Sequence, residues 1–148
     1  MVRLLPAVLL ATVVALLAVY LQRRRPGAAP VVDRHHVPTA LARADFARPE
    51  ADWLVVVFTS STCDTCAATW VVARLLESPA VATQQVEVSA EPVLHERYGI
   101  DAVPTTVVCD AQGGVVRSFL GPVSATHLWA AVAEARDPGS IPPGCGEG

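Results

Sequence analysis

Polarity changes abruptly along this chain. Leu4 to Leu21 reads LLPAVLLATVVALLAVYL, eighteen residues without a charge. As a helix at 1.5 Å per residue it would span roughly 27 Å, near the ~30 Å hydrocarbon thickness of a bilayer. Residues 26–38 (PGAAPVVDRHHVP) carry three prolines and no periodicity, the pattern of a short semi-extended linker. Apolar positions then return in short runs. Trp53–Thr59 is continuous and β-branched, which predicts a central strand covered on both faces. Cys63–Glu77 is apolar around most of a helical circumference and stops at Ser78-Pro79. Val81–Val88 is interrupted by Thr83, Gln84, Gln85 and Glu87, as in a strand nearer an edge. Glu91–Tyr98 reads as a short helix with Pro92 in its first turn and Gly99 beyond its end. Thr105–Cys109, the turn Asp110–Gly114 and Val115–Leu120 form a hairpin, and Ser124 opens a last helix to about Arg136. With a short leading element near Thr39–Phe46, the order predicts an α/β sandwich, a mixed sheet flanked by helices.

The expected organisation is an N-terminal transmembrane anchor (1–25), a linker (26–38), one domain (39–137) and a flexible Gly/Pro-rich tail (138–148). The apolar stretch exceeds the 7–15 residues usual in a signal peptide, and Arg23, Arg24 and Arg25 follow it directly. The one small-residue site nearby, Ala28-Ala29, precedes Pro30, a poor place for cleavage, so the anchor is read as retained. Arg3 lies on one side of it and Arg23, Arg24, Arg25 and Arg34 on the other. The positive-inside rule therefore favours a single pass through the cell membrane with the domain on the cytoplasmic face. The adjacent His35 and His36 fit solvated linker residues better than a metal pair.

Hydrophobic residues make up 52% and charged residues 17% of the chain, which excludes bulk disorder. The net charge is −3 and all eleven basic residues are arginine. That removes a Schiff-base lysine and a P-loop, and the absence of a basic block in the globular part argues against nucleic acid. The four cysteines are too few for a disulfide scaffold of this length.

Their placement carries more. Cys63 and Cys66, three apart at an expected helix start, lie within disulfide reach. A helix N-terminus offers free N–H groups and partial positive charge, which would lower the pKa of a Cys63 thiol and make it the nucleophile. Cys66, deeper in the turn, would resolve. Two other readings stand beside dithiol chemistry: a buried structural pair, and half of a zinc site. Zinc would need two more ligands, and Cys109 and Cys145 lack paired spacing. The strand–CxxC–helix context favours redox.

The strand–CxxC–helix stretch WLVVVFTSSTCDTC and the segment from Tyr98 to Val108 (YGIDAVPTTVV) together resemble the thioredoxin-like family over about Thr39–Arg136. Membrane-tethered bacterial members are similar in having an N-terminal anchor. The resemblance implies a thioredoxin-like sandwich with Val103-Pro104-Thr105 as a cis-proline loop facing the CxxC. Ala102 and Val103 would offer backbone to an extended substrate strand, with Pro104 against the sulfurs. It also implies a protein dithiol or disulfide as substrate, a membrane electron donor or reductase as a possible partner, and no cofactor beyond the Cys63–Cys66 disulfide; no metal is expected. The departures lie near the site. Thr62 stands where the family usually has tryptophan, and Asp64-Thr65 replaces Gly-Pro. The family's buried acid aligns with Val57, and its helix-kinking proline aligns near Val71, so a straighter helix is expected. Asp64 favours the helix start but opposes a thiolate on Cys63.

The remaining singletons receive ordinary readings. Cys109 is expected as a buried small hydrophobe and Cys145 as a bystander. Trp53, Trp70 and Trp129 are expected in packing roles, and His95 and His127 on the surface. The function expected is a membrane-tethered thiol–disulfide oxidoreductase; the alternative is a non-catalytic docking module of the same fold. A retained anchor should keep full-length protein in the membrane fraction and resistant to carbonate extraction. A soluble mature protein starting near Val31 would overturn it.

Overall fold

A computed structural model describes residues 35–140, so the expected anchor, most of the linker, and Cys145 with most of the tail lie outside the described residues. After a 3-10 turn at Arg43–Asp45, the elements are β1 (Trp53–Thr59), α1 (Cys66–Arg74), β2 (Val81–Glu87), α2 (Pro92–Arg97), β3 (Thr105–Cys109), β4 (Val115–Leu120) and α3 (Ala125–Arg136). The strands form one mixed sheet in the order β2-β1-β3-β4. β1 pairs parallel with β2 and antiparallel with β3, and β3 pairs antiparallel with β4. β1 is therefore interior, as its unbroken apolar run requires, and β2 lies at an edge.

Alternation divides β1 between two cores. Leu54, Val56 and Phe58 join Ala82, Val86, Val107, Cys109, Tyr98, Leu41 and Phe46 on the face under α2. Val55 and Val57 join Val81, Val108, Ala73, Leu128 and Val132 on the face under α1 and α3. Full burial of such a side chain contributes about 1.5–3 kcal/mol, so β1 carries much of the hydrophobic stabilisation.

Helix boundaries differ from the periodic reading. α1 begins at Cys66, not Cys63. Cys63 sits in a preceding turn in which Cys66 N–H donates to the Cys63 carbonyl at 3.4 Å; Asp64 and Thr65 are weak helix formers. At the other end Leu76 N–H bonds Ala73 O and Glu77 N–H bonds Arg74 O, a tightened last turn. α1 is unbroken through Val71. Ser124 caps α3, its side chain accepting from the His127 amide at 3.3 Å.

Two expectations about aromatic residues are corrected. His95 is buried, 5% exposed, because α2 turns it inward to Phe58, edge to face at 5.2 Å between ring centroids, with Nε2 3.1 Å from Val86 O. Trp129 is 44% exposed, since Leu128, Ala131 and Val132 form the inward stripe of α3. Trp53 and Trp70 pack against the core as expected.

The leading segment is stitched to the hairpin. Leu41 N–H donates to Gly113 O at 2.8 Å and Val115 N–H to Thr39 O at 3.0 Å. Buried Arg43 donates to Asp110 O at 3.0 Å. Tyr98 Oη accepts from Ala42 N–H at 3.0 Å and donates to Asp45. That hydroxyl first, and the Arg97 guanidinium next, hold the Asp45 carboxyl below its ordinary range. Gly113 has φ +85°, and a Cβ there would meet Leu41 O at 1.9 Å. Gly113→Ala should therefore cost about 2 kcal/mol or more, read from urea unfolding midpoints. A loss within the ~0.5 kcal/mol of an ordinary surface change would mean this seam bears little.

Candidate active site

The end of β1 sets the site. β1 closes at Thr59, and Ser60–Thr65 turn into α1. Cys63 N–H bonds Ser60 O at 3.1 Å, and the Ser60 and Thr62 hydroxyls are 3.0 Å apart. Cys63 and Cys66 are joined as a disulfide with Cα atoms 5.5 Å apart. Cys63 is half-buried and Cys66 is 2% exposed. The difference follows from position: Cys63 lies in the loop, whereas Cys66 heads the buried stripe Cys66–Thr69–Ala73 of α1, at helical spacing toward the sheet. Thr62, Asp64 and Thr65 are exposed around them, and Thr65 Oγ1 lies 3.8 Å from Cys63 Sγ.

Antiparallel pairing brings a second loop to the same end. Phe58 faces Thr105 in register, so Val103 and Pro104, just before β3, lie beside the last residues of β1. The Val103–Pro104 bond is cis. Pro104 and Thr105 are buried and Val103 half-buried. Thr105 Oγ1 donates to Ala102 O at 2.8 Å, and Gly121 N–H donates to Pro104 O at 2.8 Å, pinning the loop from both sides. The side-chain hydroxyl of Thr105 is thus turned to its own loop.

At Val57 and its paired neighbours the sheet face under α1 is uncharged. Val57 is fully buried, with Gln85 as its neighbour on β2 and Thr106 on β3. Gln85 Nε2 donates to Thr59 Oγ1 at 3.1 Å. The Thr106 hydroxyl is buried without a partner, an arrangement that costs about 1–3 kcal/mol when nothing compensates it. Cys109 lies on the opposite face, fully buried; desolvation pushes its thiol up to about 12, so it carries almost no thiolate near neutral pH. Among the described residues no group of three His, Cys, Asp or Glu side chains could hold a metal ion.

Sequence reasoning missed Glu87, which ties this end of the sheet together. Its Oε1 accepts from Ser61 N–H at 2.8 Å, and its Oε2 from the amides of Ser89 at 2.7 Å and Ala90 at 3.1 Å and from the Ser89 hydroxyl. The Ser89 hydroxyl is the largest cause holding the carboxyl below its ordinary range, with the three amides adding to it against some desolvation. A folded pKa below the unfolded one means the clamp is present above the unfolded pKa and is lost as pH falls through the folded pKa. Exchange of the Ser61 amide should quicken in that acid range. Glu87→Gln, which turns an NH₂ toward N–H donors, should bring the same quickening to neutral pH. Unchanged Ser61 protection in Glu87→Gln would sink the clamp.

No protein-family model and no curated protein matches the chain. Several solved structures share its fold. A thioredoxin mutant from Halobacterium salinarum NRC-1 is 19% identical with a TM-score of 0.52, over 72% of this chain and 93% of that one. Thioredoxin-2 of the malaria parasite, described as a component of its protein secretion machinery, is 14% identical with a TM-score of 0.50, over 56% and 82%. A chain from a study of thiol resolution in a yeast mitochondrial peroxiredoxin via glutathione/thioredoxin systems is 20% identical with a TM-score of 0.51, over 67% and 93%. At such identities the likeness carries the architecture alone: this chain has a thioredoxin-like fold.

Proposed function

We propose that the protein is a thiol–disulfide oxidoreductase tethered to the cell membrane, in which Cys63 attacks and Cys66 resolves. The observation that carries this reading is the Cys63–Cys66 disulfide, one cysteine half-buried in a loop and the other buried at the head of its helix. In the reduced protein the Cys63 thiolate attacks one sulfur of a substrate disulfide. A Cys63–substrate bond forms, and the other substrate sulfur leaves with the electron pair as thiolate. Cys66, having given its proton to solvent, then attacks Cys63 Sγ. The mixed disulfide breaks, the second substrate thiolate leaves, and the Cys63–Cys66 bond closes. Two electrons pass to the substrate, and an external dithiol or membrane reductase returns them. Both electrons stay on sulfur, so the exchange needs no cofactor.

The loop around Val103 and Pro104 is the proposed substrate platform. Its position beside the end of β1, which leads into the cysteine loop, supports this, as does its bracing by Thr105 Oγ1 and Gly121 N–H. Leu4–Leu21 is the proposed anchor, with Arg23, Arg24 and Arg25 favouring a cytoplasmic domain; a cytoplasmic dithiol would work as a reductant. Cysteine accessibility in intact cells tests that side.

Cys66→Ser should accumulate a covalent mixed disulfide with the partner, because attack proceeds and release does not, whereas Cys63→Ser should trap nothing. Equal trapping by both variants would refute the assigned roles. In an insulin reduction assay driven by dithiothreitol, Cys63→Ser should lose essentially all rate above background. A docking module would show no Cys63-dependent rate at all.

A further inference from the structure

We propose that the Thr106 hydroxyl is a positioning group for Cys66, donating a hydrogen bond to its thiolate, directly or through one water, when the disulfide is reduced. This deepens the oxidoreductase reading and rests on it. Thr106 is fully buried and stands opposite Val57 in the β1–β3 register, so both side chains lie on the sheet face that α1 covers. Cys66, Thr69 and Ala73 form the stripe by which α1 meets that face. The other hydroxyls of this layer are committed. Thr59 Oγ1 accepts from Gln85 and lies 3.4 Å from Val86 O, and Thr69 Oγ1 donates to Thr65 O at 3.1 Å. Thr106 Oγ1 has no partner. In the oxidised state described here Cys66 Sγ is bonded to Cys63 and calls for no donor. Reduction creates a buried thiol that must ionise before it can resolve. A free hydroxyl on the sheet beneath answers that need, and it accounts for threonine at a site where valine would leave no polar group orphaned.

A hydroxyl is no base near neutral pH. Its effect is to favour the charged form of Cys66 by donating to it, while the proton itself goes to solvent. The titratable groups on the surrounding elements stand at the rim. Asp64 ahead of α1, Arg74 at its last position, Glu77 before β2 and Arg117 on β4 are exposed. Glu87 on β2 and His127 and Glu134 on α3 are half-buried, and Arg136 is exposed. None reaches full burial under α1.

The test uses full-length reduced protein in a Cys145→Ser background with Ellman's reagent as the disulfide. Attack by Cys63 releases one thionitrobenzoate, and resolution by Cys66 releases the second. Thr106→Val should raise the pH midpoint of the second release by about one unit, or about tenfold in rate below both midpoints. The first release should be unchanged, and Thr106→Ser should return the midpoint toward that of the native residue. A second-release midpoint unmoved in Thr106→Val overturns the proposal and leaves the oxidoreductase reading intact. Absence of Cys63-dependent release in the native protein removes both. Circular dichroism checks the fold of each variant, and Thr106→Ala, read in the same way, serves if valine fails to pack.

Discussion

The pairing of β1 with β3 is the contact on which the site depends. The cysteines and the Val103-Pro104-Thr105 loop are about forty residues apart in the chain, and no short-range interaction could bring them together. The antiparallel register from Leu54–Cys109 to Phe58–Thr105 does so, because it sets the exit of β1 beside the entrance of β3. A slip of β3 by one residue against β1 would turn Thr106 and Val108 to the opposite core and shift the loop relative to the end of β1. Parallel pairing with β2 then brings Glu87 to the same end, where it gathers amides from both neighbouring loops.

Much of this was legible beforehand, and what was not has a common physical cause. β1 announced itself through an unbroken β-branched run, the hairpin through Asp110–Gly114, and α3 through Ser124. Each is a local signal, readable within about ten residues. The Cys63/Cys66 pair was equally local. The features that escaped depend on register or on the rotation of a helix. His95 is inside because of where α2 lies over Phe58, and nothing in EPVLHER distinguishes it from a surface histidine. Trp129 lies outside because the inward stripe of the weakly amphipathic α3 passes through Leu128 and Val132. Glu87 read as a polar interruption in an edge strand, and its role exists only once Ser61 and Ser89 are folded around it. The start of α1 moved three residues because Asp64 and Thr65 favour a turn ahead of a helix, a contest that apolar periodicity does not register.

The two faces of the sheet divide the labour of charge. Under α2 and the leading segment lie His95 and Arg43, both buried and bonded to backbone carbonyls, with the Tyr98–Asp45–Arg97 network at the margin. That face also hides the unreactive Cys109. Around Val57 the layer under α1 is neutral, with Gln85, Thr59 and Thr106 on the sheet and Thr69 on the helix, and Glu87 stands at its rim. A buried carboxylate there would have to change charge whenever Cys66 changed its own, since two negative groups in a low-dielectric layer oppose each other. Neutral donors avoid that coupling. In the proposed cycle the uncommitted donor, Thr106, would favour the thiolate by orientation alone and could not take the proton, which would travel to the rim. If Cys66 resolves as proposed, its chemistry is bound to how readily water reaches the end of α1, and so to the loops that Glu87 and Gly121 hold in place.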